Sequence, residues 1–83
     1  MNRRHFYAAQ SSHGLGFTYD SPCWLVHAFP SRRARDAFVR RHADANTTEA
    51  VDYPTACRIA PELRTERPAR AWRVVVHQDS APD

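Results

Sequence analysis

The chain has 83 residues, 42% hydrophobic and 11% aromatic, the size of one compact domain over 1–83; at this mass folding removes roughly 60–65% of the unfolded surface, which allows one modest core and excludes a large buried cleft. No segment approaches the roughly 20 apolar residues that cross a bilayer, and the basic start Met1-Asn2-Arg3-Arg4-His5 leads into no apolar run of a secretory signal, so a cytoplasmic location is expected. Twelve basic and nine acidic residues leave a net charge of +3, which favours acidic partners without requiring nucleic acid and excludes a carboxylate-dense DNA mimic.

In chain order, residues 6–9 supply the aromatic and small side chains of a strand, and Ser11-Ser12-His13-Gly14 signals a turn. Leu15, Phe17 and Tyr19 then alternate with Gly16 and Thr18, the period-2 pattern of a second strand that would complete a hairpin with 6–9. Asp20-Ser21-Pro22 turns the chain into the apolar run 23–29, expected as a central strand covered on at least one face. Ser31 is a natural N-cap for a helix over 32–43 whose buried stripe is Ala34, Ala37 and Phe38. Residues 44–48 read as a polar loop and 49–52 as a short strand or extended arm. Asp52 caps a second short helix with Pro54 in its first turn, which turns Ala56, Ile59 and Ala60 inward until Pro61 disrupts it, with Leu63 packing beyond. Residues 64–70 are a charged connector, 71–77 a final strand and 78–83 a fraying tail. The fold class that follows is α+β: an antiparallel sheet of three to five strands, opening with a hairpin and ordered β-β-β-α-(β)-α-β, with two helices packed on one face.

All twelve basic residues are Arg and none is Lys. The guanidinium is a permanently charged planar fork suited to carboxylate or phosphate, although a composition-wide preference for Arg gives the same count. The first helix concentrates Arg32, Arg33, Arg35, Arg40 and Arg41 around a single acid, Asp36, which lies at pairing distance along the helix from Arg32, Arg33 or Arg40. Two readings stand side by side, an ordinary solvated face and a partner-binding surface.

Other chemistry is weaker. Cys23 and Cys57 are expected as reduced thiols packed as small hydrophobes. Cys23 and His27 share a strand face, but the close ligand pairs of a compact zinc site are missing, so no metal or other cofactor is expected. His27 and His77 are expected at partly exposed sheet positions and His5 and His42 near element ends, where imidazoles make interactions pH-sensitive. His13 is the most plausible exposed general base, yet no partner residue is identifiable, and the chain is read as a non-enzyme. Phe6, Tyr7, Phe17 and Tyr19 serve either as core or as an aromatic surface, with Trp24 or Trp72 at an edge equally suited to a protein partner.

The segment Phe29-Pro30-Ser31-Arg32-Arg33-Ala34-Arg35-Asp36-Ala37-Phe38-Val39, followed by Glu49-Ala50-Val51 with Ala56, resembles small phage and mobile-element proteins in which an aromatic hairpin and strand lead into such a helix. These include anti-CRISPR inhibitors of type I systems. The resemblance covers roughly positions 6–60. It implies a stoichiometric inhibitor in the cytoplasm of a host bacterium that occupies a subunit of a multisubunit effector complex and obstructs target-DNA recruitment. It transfers no catalytic or ligand residue. The competing expectation is a small nucleic-acid-binding regulator that places the same arginines on phosphates. Monomer and dimer both remain open, a dimer by edge pairing of the final strand.

Overall fold

The computed structural model describes residues 5–11, 23–42, 47–65 and 72–78. Within them the chain forms strand β1 (Phe6–Ser11), β2 (Trp24–Phe29), helix α1 (Arg32–Arg41), β3 (Thr47–Val51), α2 (Tyr53–Ile59), a 3₁₀ turn (Pro61–Arg64) and β4 (Val74–Val76). The four strands make one sheet in the order β3-β1-β2-β4.

Local chemistry sets both helices. The Ser31 hydroxyl oxygen accepts the Ala34 N–H at 3.1 Å, and Arg40 and Arg41 in the last turn of α1 complement the negative end of its dipole. Asp52 accepts the Thr55 N–H at 3.0 Å; the Thr55 side chain first, and then this N–H, lower its carboxyl pKa, and Pro54 sits in the first turn, where its missing N–H costs nothing. Pro61 cannot continue the α-helical ladder, so the chain tightens into the 3₁₀ turn, which carries Leu63 back onto the core.

The sheet is buried on both sides. Consecutive Ala8 and Ala9 of β1 are each 0% exposed and point to opposite faces. On one face Tyr7, Ala9, Trp24, Val26, Ala28 and Val74 pack with Ala56, Ile59 and Ala60 of α2; on the other, Ala8 and Phe29 pack with Ala34 and Phe38 of α1. Two alanines back to back leave room for a helix on either side.

Topology departs from the sequence reading in three respects, within an α+β fold that it otherwise matches. The sheet is mixed: β1 runs antiparallel to β2 and β3, but β4 runs parallel to β2. The helices lie on opposite faces, not on one. Since β2 and β3 are each antiparallel to β1, both β2-α1-β3 and β3-α2-β4 are parallel crossovers, moving in opposite directions across the sheet. Crossovers moving in opposite directions keep the same hand only when their helices take opposite faces, and one hand is strongly preferred. The third difference concerns the expected hairpin. Residues 15–19 lie outside the described residues, while both edges of β1 are taken by β2 and β3, with Phe6 opposite Phe29 and Ser11 opposite both Trp24 and Thr47. The strand partners of 6–9 are therefore β2 and β3. Boundaries shift as well: β1 continues through Gln10 and Ser11, and β3 begins at Thr47, inside the expected loop.

Ile59 is fully buried at the centre of the α2 layer. Replacing Ile59→Ala is expected to lower unfolding free energy by about 3 kcal/mol in urea titrations, whereas Arg58→Ala next to it, exposed, changes stability by less than about 0.5 kcal/mol.

Candidate functional site

The buried side of α1 is set by Ala34 and Phe38. Arg32, Arg33, Arg40 and Arg41 are exposed on the rest of the helix. Arg35 behaves differently. Its side chain is 14% exposed; Nε donates to Asp36 Oδ1 at 2.7 Å, and Nη1 donates to the Tyr7 carbonyl at 3.4 Å. Its guanidinium carbon lies 5.9 Å from the Phe6 ring centroid, with that of Arg32 at 5.7 Å. Asp36 pairs with its neighbour Arg35, whose guanidinium lies between the β1 carbonyl and the Phe6 ring.

A second cluster lies under α1. His27 of β2 is 8% exposed, a correction to its expected partly exposed position. Its Nε2 is 3.1 Å from Gln10 Oε1 and its Nδ1 3.0 Å from His77 Nε2, while Gln10 Nε2 donates to Thr48 Oγ1 at 3.4 Å. The chain Thr48–Gln10–His27–His77 therefore crosses β3, β1 and β2 and ends just past β4. Its polarity follows from the amide. With the Gln10 carbonyl toward His27, His27 Nε2 carries the hydrogen, its Nδ1 accepts from His77 Nε2–H, and His77 Nδ1 keeps a lone pair. Aromatic rings enclose the pair: Phe29 lies parallel to His77 at 4.2 Å and 9°, Phe38 sits 4.4 Å from His27, and His42 at the end of α1 sits 4.4 Å from Phe38.

Burial makes a charged imidazole costly here. Desolvation first, then His77 and His42, pull the His27 pKa down from 6.5 to about 4, and desolvation lowers His77 as well. On the other face burial pushes the Tyr7 hydroxyl up. With both its nitrogens engaged, His27 presents no lone pair toward Cys23, which precedes β2 and is in no disulfide; among the described residues no three His, Cys, Asp or Glu side chains group as metal ligands.

The remaining candidates scatter. His13, Phe17 and Tyr19 lie outside the described residues. Tyr7 packs against α2 and Phe6 is half-buried beside the arginines, so these neighbours serve different faces. Trp24 is core, whereas Trp72 is 66% exposed with the Arg73 guanidinium carbon 5.0 Å from its ring centroid. Arg73 Nη1 also donates to the Ile59 carbonyl at 2.9 Å, which ties the start of β4 to the end of α2. Cys57 is buried and Cys23 partly so. The imidazole chain is the feature that sequence reasoning missed; the even spacing of Phe29 and His27 on one strand face was its only local signal.

Comparison with protein families, curated proteins and solved structures found no match to this chain.

The two classes of arginine on α1 separate by mutation. Arg35→Ala is expected to cost about 1–2 kcal/mol of stability through the lost carbonyl bond and stem packing, and Arg40→Ala, exposed in the last turn, less than about 1 kcal/mol, both read from denaturant midpoints at equal slope.

Proposed function

We propose that the chain is a non-enzymatic protein-binding inhibitor that docks α1 onto an acidic patch of a multisubunit host complex, and that, as the resemblance at 29–39 implies, this complex is a type I CRISPR effector kept from its target DNA. The observation that carries the reading is the arrangement on α1: exposed Arg32, Arg33, Arg40 and Arg41, with the helix's one acid held by Arg35. A helix anchored through Ala34 and Phe38 presents those guanidiniums from a fixed backbone, so little ordering entropy is lost on docking. Arginine is also among the residue types that dominate binding hot spots, because its fork engages carboxylates in two parallel hydrogen bonds.

The nucleic-acid regulator places the same arginines on phosphates, and the partner's nuclease sensitivity separates the two. With purified type I effector complex as the probe, Arg33→Glu combined with Arg40→Glu is expected to weaken binding at least about tenfold, equivalent to about 1.4 kcal/mol, while the chain stays folded. Binding of the complex should survive nuclease treatment. Undiminished affinity after both reversals removes α1 as the interface, and capture that disappears with nuclease transfers the assignment to the regulator.

A further inference from the structure

The two imidazoles beneath α1 meet in line. The 3.0 Å between His27 Nδ1 and His77 Nε2 and the 5.2 Å between the ring centroids differ by about the two ring radii, so the rings touch edge to edge along one N–H···N axis. One hydrogen on that axis makes a bond; two set donor against donor. The groups facing the pair offer little relief. His42 from α1 disfavours charge on His27, β1 contributes the neutral Gln10 amide, and the strand's own Phe29 is apolar. Asp36 of α1 is held by Arg35, and Glu49 of β3 stands opposite Ala9, hence on the α2 face. Among the described residues, no carboxylate is placed against the pair.

Protonation therefore proceeds in two unequal steps. The first proton enters at the lone pair of His77 Nδ1, on the more exposed ring. It leaves the His77 Nε2–H···Nδ1 His27 bond intact and lays an imidazolium flat over the Phe29 ring at 4.2 Å, a favourable cation–π arrangement. The second must enter at His27 Nδ1, on the shared axis itself.

We propose that the His27–His77 contact is an acid-released clasp: it survives the first proton and opens on the second, and its opening withdraws the ring surface on which Phe38 seats α1. Burial and the neighbouring imidazoles hold the folded His27 at about 4, below the ordinary 6.5. The sign follows from that order. The unfolded chain takes up the proton first, so the contribution of His27 to stability is complete above 6.5, declines as pH falls toward 4 and is absent below, where the clasp is open. The release holds whatever α1 binds; that it would also dismantle a docking face rests on the proposed function.

The test is NMR on the full chain, following histidine ring ¹⁵N shifts and amide hydrogen exchange corrected for intrinsic rates between about pH 7 and about pH 3. Two separated titrations are expected, His77 first and His27 in the acid limb. Exchange protection in α1 and at the His77 amide should fall at least about tenfold more than in β1 and β2, and His77→Gln should abolish that difference. His27→Gln should do the same; if that buried change prevents folding, the half-buried His77→Gln carries the test alone. Titration of both rings together near 6.5, parallel loss of protection in helix and sheet, or an unchanged difference in His77→Gln each overturns the clasp. None of these readouts requires a partner, so failure of the clasp is distinguishable from failure of the docking reading.

Discussion

A neutral imidazole buried at the centre of the sheet constrains everything around it. His27 stands in β2 between β1 and β4, and an unpaired ring nitrogen there would cost about 1–3 kcal/mol. Both nitrogens are paired, one by Gln10 from β1 and one by His77 from beyond β4. These bonds run across the strands and lie beside the backbone ladder; the His77 N–H also donates to the Ala28 carbonyl at 2.9 Å, so the short β4 is held to β2 by main chain and side chain together. The rings that dry this site, Phe29 and Phe38, are also what seats α1. Hydrogen-bond satisfaction, the placement of the last strand and the attachment of the arginine-bearing helix thus share one cluster.

The opposite face is organised by volume. Ala9 and Ala28 give α2 a shallow floor, and Trp24, Val26, Ile59 and Tyr7 fill it. Because the two crossovers travel in opposite directions, each face receives one helix, and the paired alanines of β1 let both approach. Burial on both faces accounts for the near-continuous apolar runs of β1 and β2 in a chain this short.

Local chemistry was legible in the sequence. The caps at Ser31 and Asp52, the stop at Pro61, the run that became β2 and the inward residues Ala34, Phe38, Ala56, Ile59 and Ala60 all follow from nearest-neighbour physics. Pairing was not, since it depends on contacts distant along the chain. A histidine in an apolar run reads the same whether exposed or buried, and the partner that decides the matter is 50 residues away. Arg35 reads like the arginines around it until the Tyr7 carbonyl, 28 residues distant, singles it out. Thr47 and Thr48 look like loop because an edge strand tolerates polar residues, and only β1 makes them a strand. The charge density of α1 was plain from the sequence.

The most direct measurement of the account is the through-hydrogen-bond ¹⁵N–¹⁵N coupling between the two imidazoles at neutral pH. A resolved coupling between His27 Nδ1 and His77 Nε2 is expected, with His27 locked in the tautomer that carries its hydrogen on Nε2. Two uncoupled rings, each averaging between tautomers, would contradict it, and the buried chain across the sheet would then have to be replaced by some other means of satisfying His27.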